Sequence, residues 1–313
     1  MTAYVIRRLL WLLPVLFFVA AITFVLMHSV PGGPWDREKP LPPQAVEQLN
    51  RKYGLDRPLW EQFGEYLLGL VQGDLGVSYR QSGRPVAELI GDGIRVSATL
   101  GGLAMLLATA VGVPLGILAA LRRNHALDYL SVSLATLGAS TPNFVLGIVL
   151  IVVFASTLHL LPTIGWGSWK QAVMPVIALS ALPMAFLARV TRASVLEVLQ
   201  QDHVRTAWAK GLPARAVVLR HVARNALIPV LTLAGPLAAA LVTGSFIIES
   251  QFAIPGVGRA FVTAIFGRDY GVIMGVTLFY ALVVATANLA VDLACAAADP
   301  RVATGEEDPI HGT

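Results

Sequence analysis

Residues 205–229 read RTAWAKGLPARAVVLRHVARNALIP and separate two long apolar runs. The stretch holds Arg205, Lys210, Arg215, Arg220, His221 and Arg224, and not one carboxylate. Basic loops that join membrane spans face the cytoplasm. The loop therefore predicts both a membrane chain and its orientation.

The rest of the chain agrees with that reading. Of its 313 residues, 56% are hydrophobic and only 13% charged, against roughly 25% charged in a soluble domain. The apolar residues fall in blocks of about 20, the length that crosses a bilayer core. A net charge of +4 does not point to nucleic acid, because the cations sit in loops beside the spans. Cys295 is the single cysteine and lies in a predicted span. No disulfide scaffold or cysteine-based zinc site follows from it.

Six spans are predicted, over residues 9–30, 97–121, 127–158, 172–190, 226–248 and 270–297. The first follows Arg7 and Arg8 but ends in HSVPGGPW without a small-x-small cleavage site, so it reads as an uncleaved helix. The third is longer than a membrane needs and is expected to tilt or protrude. An inside start places Arg7, Arg8, Arg122, Arg123, the basic run 189–224 and Arg301 in the cytoplasm, with both termini. The expected fold is an all-α polytopic membrane protein. Its parts are a first span (1–30), an outer helical loop (31–95), a five-helix transmembrane domain (96–300) and a polar cytoplasmic tail (301–313).

In the outer loop, PPQAVEQLNRKYGL and RPLWEQFGEYLLGLVQG predict two short amphipathic helices. Pro58 suits a first helical position, and Leu59, Phe63, Tyr66, Leu67 and Leu70 share one face. The pair reads either as a cap packed on the spans or as a contact for a partner that delivers substrate.

Several chemistries lack their residues. GxxxxGK[ST], GxSxG and HExxH are absent, and the six histidines are scattered with no i, i+4 pair. No resident metal is expected. An ion-coupled carrier needs a carboxylate near the membrane midplane. Glu249 and Asp292 fall instead toward the ends of spans five and six. An intramembrane hydrolase needs a serine matched in depth with a histidine or lysine, and the scattered histidines do not supply it. If the chain moves a solute, the energy is expected to come from elsewhere. Gly112 and Gly116 form a GxxxG step of the kind that lets helices approach closely. Pro114, Pro142, Pro175, Pro183 and Pro236 read as kinks or helix starts.

Within the polar interruption, Asp202 can cap a helix of about ten residues, roughly 15 Å long, which Gly211 and Pro213 end. Val204, Ala207 and Trp208 share a face from which Arg205 and Lys210 point away. A second helix carries Val217, Val218, Val222 and Leu227 on its apolar side. Two readings stand side by side: an anchor on anionic lipid, and a knob that fits a groove on a cytoplasmic partner.

RTAWAKGL, followed eight residues later by RHVARNALIPV, resembles the cytoplasmic loop of permease subunits of bacterial ABC importers, most closely the oligopeptide/dipeptide group. GSFIIESQFAIPGVGRAFVTAIFGRDY, NLAVDLACAAADPRV and the N-terminal IRRLLWLLPVLFFVAAITFVLMHSVPGGP extend the resemblance over nearly the whole chain. The wider family begins its loop signature with Glu-Ala-Ala, six residues before the glycine. Here Arg205, Thr206 and Ala207 stand there, so no glutamate contact is carried over.

The resemblance implies one permease of an importer with a second homologous permease, two cytoplasmic ATPases and an extracytoplasmic peptide-binding protein. Nickel chelates or other solutes are the alternative cargo. ATP and magnesium would sit on the ATPases, and this chain would hold no cofactor or catalytic residue. The loop at about 197–225 would carry the coupling helix, with Asp202, Arg205, Thr206, Ala207, Lys210 and Gly211 docking on the ATPase. His221, Asn225 and Pro229 would brace the loop against span five.

Overall fold

The computed structural model describes residues 2–36, 41–81, 83–242 and 245–298. The side chains of residues 2–9, 127, 134, 242, 288 and 290–298, which include Asp292 and Cys295, lie outside the described residues, as does the tail 301–313. Among the described residues the secondary structure is helical, and five helices are long and apolar enough to cross a membrane, or six if one bent pair is a single span. The chain divides into two compact units, Met1–Val96 with Pro255–Leu289, and Ser97–Ile254 with Ala290–Thr313.

In the first unit, α1 (Thr2–Ser29) keeps Trp11, Phe18, Val25 and Leu26 exposed, as a lipid-facing helix does. The loop that follows α1 forms α2 (Pro43–Lys52) and α3 (Leu59–Val71). Pro58 stands one place outside α3, as its N-cap. Phe63, Tyr66 and Leu70 of α3 pack on Ala20 and Met27 of α1, together with Tyr270 and Met274. Leu59 is left outside that cluster and half exposed. The turn after α3 is held by Asp269, which accepts hydrogen bonds from the Ser78 hydroxyl and the Tyr79 and Arg80 amides.

In the second unit, α4 (Val86–Leu121), which enters from the first unit, lies close against α7 (Trp169–Val198). A Cβ on Gly112 would stand 2.7 Å from the Met184 carbonyl, and one on Gly116 2.5 Å from that of Ala188. The GxxxG step is thus a packing device. Gln171 fixes the start of α7 by accepting from the Ser168 amide at 3.1 Å.

The third predicted span is not one straight helix. It breaks into α5 (Ala126–Ser140) and α6 (Asn143–Leu150), the latter running on into a π-helical turn, Ile151–Thr157. The two halves meet at 102°. Pro142 is the cause: it has no N–H to continue the ladder, and Thr141 before it is extended (φ −92°, ψ 119°).

Span five is also redrawn. A single continuous helix starts at α9 (Ala214–Ala216), passes through a π-helical stretch, Val217–Val222, and continues as α10 (Ala223–Val242). The second helix expected in the polar loop is therefore the first part of this span. Beyond it come α11 (Phe246–Gln251) and, in the first unit, α12 (Val257–Gly267) and α13 (Tyr270–Ala298), which runs into the second. Glu249 on α11 is fully buried and accepts from the Ser97 hydroxyl at 2.8 Å.

Candidate functional site

The polar interruption folds into α8 (Asp202–Ala209), eight residues and about 12 Å long. It starts one residue earlier than a cap at Asp202 requires. Gln201 is the N-cap, with extended backbone, and Asp202 is the first helical residue. Its carboxylate thus acts on the N-terminal dipole rather than as a side-chain cap. It is 98% exposed and lies 3.6 Å from the Arg205 guanidinium, a solvated pair of small energetic weight.

The far end is set by backbone geometry. Gly211 has φ +73°, the left-handed conformation that ends helices at little cost only for glycine. Its N–H donates to the Trp208 carbonyl at 2.9 Å, and Pro213 opens the next helix. Lys210 is the exposed C-terminal cap.

The two faces of α8 divide sharply. Val204 and Ala207 are buried against Ala120 of α4, Val195 and Val198 of α7, and Val217, Val222 and Ala226 of the fifth span. Trp208 does not join them and remains 46% exposed. Ala207, which the resemblance set among the docking residues, is turned inward. It lets α8 sit close on its own bundle, sharing the face of Val204 at an i, i+3 step. Asp202, Arg205, Thr206, Trp208 and Lys210 make up the outward surface. The Thr206 hydroxyl is turned back to the Asp202 carbonyl at 2.9 Å.

His203, which carried no role in the sequence reading, lies between α8 and the fifth span. Its Nε2 is 3.3 Å from the His221 carbonyl and 3.3 Å from the Asn225 amide nitrogen. His221 and Asn225 therefore meet α8, whereas Pro229 is exposed within α10 and stands apart from these contacts. The sequence signal for His203 was its place one residue into a short helix, too weak to separate from the other scattered histidines.

A second feature escaped the sequence. Arg192, near the end of α7, donates through Nε to Asp128 Oδ1 at 2.6 Å and through Nη2 to Oδ2 at 2.9 Å. The Asn124 amide adds a third bond to the same carboxylate at 3.0 Å. Asp128 opens α5, so this pair ties α5 to the helix that leads into α8. A carboxylate five residues beyond a basic pair, Arg122–Arg123, was the only hint.

A short rigid helix is seated by apolar contacts on the ends of three long helices and turns charge and an indole outward. A rod of this kind passes a push to the helices beneath it, where a flexible loop would absorb it.

Comparison with known proteins matches this architecture. The model of the binding-protein-dependent transport system inner membrane component family covers residues 112–304, and its N-terminal companion covers residues 1–95. The dipeptide transport system permease protein DppB of Bacillus subtilis (strain 168) is 43% identical over 302 residues, 96% of this chain and 98% of that protein. The oligopeptide transport system permease protein OppB of Escherichia coli (strain K12) is 38% identical over 304 residues, 96% and 99% of the two chains. Among solved structures, the inward-facing MetNI methionine ABC transporter aligns with a TM-score of 0.56 at 18% identity, over 67% of this chain and 96% of that one. That likeness speaks for the fold alone. The chain belongs to the binding-protein-dependent transport system inner membrane component family.

Proposed function

We propose that the chain is the membrane-spanning permease of an ATP-driven importer for dipeptides or oligopeptides. It forms half of the pathway across the cytoplasmic membrane. The other half is a second homologous permease. Two cytoplasmic ATPase subunits hold ATP and magnesium, and an extracytoplasmic binding protein delivers the peptide. Both termini and α8 face the cytoplasm. The relatives named for dipeptide and oligopeptide transport, aligned from end to end, support the peptide cargo.

The observation that carries the reading is the two-faced seating of α8, with Val204 and Ala207 inward and Arg205, Trp208 and Lys210 outward. Binding of ATP drives the ATPases together, and α8 passes the displacement to α4, α7 and the fifth span. The bundle then shifts between inward- and outward-facing states to the extent that ATP favours one of them. This chain supplies no reacting group; it converts a push into a change of access.

The test is reconstitution of the chain in proteoliposomes with its ATPases, second permease and binding protein. Labelled di- and tetrapeptides should enter only with ATP and the binding protein present. Uptake driven by an ion gradient without ATP would overturn the reading. A pull-down in mild detergent, with identification of the binding protein and its ligand, settles the cargo.

A further inference from the structure

The C-terminal end of α1 adjoins a cavity of about 370 Å³ in the first unit, and the cavity is amphiphilic. Met27 of α1 and Met274 of α13 are buried and form its floor. Tyr53, Tyr79, Tyr270 and His28 supply aromatic walls; the Tyr53 and Tyr79 rings lie 4.7 Å apart and those of His28 and Tyr270 5.1 Å apart. Arg51, Lys52 and Arg57 are exposed at its mouth. Glu65, the one carboxylate of the lining, pairs with Arg57, and Glu47 pairs with Arg51 at 2.6 Å, so three cations stand against two carboxylates and the mouth keeps a single net positive charge.

Two apolar grooves open beside it. One, of about 290 Å³, is lined by Ala21, Val25, Trp60 and Phe63 and shares Phe24 and His28 with the cavity. The other, of about 250 Å³, is lined by Leu26, Val30, Ile265 and Ile273 and shares Met27 and Tyr270 with it. Cations stand at the end of a membrane-length helix, and apolar channels run back along that helix.

We propose that this compartment is a binding site for one anionic phospholipid. The phosphate sits among Arg51, Lys52 and Arg57, and the acyl chains lie in the grooves beside α1. Three features select this occupant. The site lies where α1 ends and α13 begins, which is the headgroup level of whichever leaflet meets them. Its charge complements an anion. Its apolar grooves continue the face of α1 that exposes Val25 and Leu26, so a bound lipid is continuous with the bilayer around that helix. A bound lipid would join α1, α2, α3 and α13 and so hold the outer loop on the spans. None of this depends on which solute is transported.

The test uses the full chain, purified in detergent, stripped of lipid and offered equal phosphatidylglycerol and phosphatidylcholine. Native mass spectrometry should show one retained phosphatidylglycerol in strong preference. The triple variant Arg51→Gln, Lys52→Gln, Arg57→Gln should lower that preference about tenfold, each cation near an anionic surface contributing roughly fivefold and two already being paired. Ala21→Trp, which fills the first groove, should weaken retention of both lipids. Inorganic phosphate at millimolar concentration should not displace the lipid. Equal retention of the two lipids by the wild type would overturn the proposal, as would displacement by phosphate alone. The wild-type competition decides the matter even if the triple variant fails to fold, which circular dichroism would reveal.

Discussion

Arg192 grips Asp128 with two near-parallel hydrogen bonds, 2.6 and 2.9 Å long, and thereby joins the start of α5 to the last turns of α7 ten residues before α8 begins. The Asp128 side chain is 4% exposed and the Arg192 side chain 28%. A pair so placed is costly to break, because the remaining charge stays buried. Asp128→Ala should therefore destabilise the chain by about 2–4 kcal/mol, below the full value for a buried pair because Arg192 keeps some water. Thermal unfolding of the purified chain reads this directly. Charge exchange, Asp128→Arg with Arg192→Asp, should recover only part, since the Asn124 amide then loses its acceptor. Full stability in Asp128→Ala would remove the clamp from the account.

Gly211 is strained for any other residue yet not crowded: its φ is +73°, and no atom lies within 4 Å of where a Cβ would stand. The cost of substitution is thus conformational, about 1–2 kcal/mol for a β-branched residue and less for asparagine, which tolerates the left-handed region. Gly211→Asn should keep peptide uptake near the wild-type level. Gly211→Val should extend or reorient α8 and lower uptake per ATP hydrolysed several-fold, with insertion in the membrane unchanged. Equal coupling ratios in the two variants would separate Gly211 from energy transfer.

Much of this architecture was legible because it follows from composition and period. Membrane-length apolar runs, the Gly211 stop and the two amphipathic helices of the outer loop each have local signals. Most of the misses share one cause: they depend on partners remote in sequence. Periodicity placed Val204, Ala207 and Trp208 on one face but could not say that Val204 and Ala207 meet the chain's own bundle and Trp208 does not. Apolarity alone is blind to direction, so the stretch 127–158 read as one long span although Pro142 bends it. Arg192 looked like one more cation of a basic run, since its carboxylate lies 64 positions away. Glu249 and Ser97 are further apart still, at 152 positions.

The division of α8 into seat and surface predicts opposite behaviour for neighbouring residues. Val204→Asp buries an unpaired carboxylate among Ala120, Val195 and Val222 and should cost several kcal/mol or unseat the helix. Trp208→Ala removes a half-exposed ring and should leave thermal stability within about 0.5 kcal/mol. If α8 docks on the ATPase, Trp208→Ala and Arg205→Glu should each weaken assembly with it, measured by co-purification, and the Arg205→Glu defect should deepen at low salt. Undiminished assembly in these two surface variants would place the contact elsewhere.

The approach of α4 to α7 leaves no room at Gly116. A methyl there would stand 2.5 Å from the Ala188 carbonyl, 2.6 Å from Thr191 Cβ and 3.1 Å from the Arg192 amide. Backbone atoms cannot swing aside as a side-chain end can, so Gly116→Ala must push the helices apart. The shift falls on the turn of α7 that carries Arg192, so the Asp128 clamp should loosen with it. Gly116→Ala should lower thermal stability by about 1–3 kcal/mol, and adding Asp128→Ala should then cost less than it does alone, because the two sites are coupled. Gly102→Ala is the internal control: it lies on the same helix with nothing within 4 Å, and it should be neutral or slightly stabilising. Strict additivity of Gly116→Ala and Asp128→Ala would show that the close packing and the ion pair are independent supports of α7.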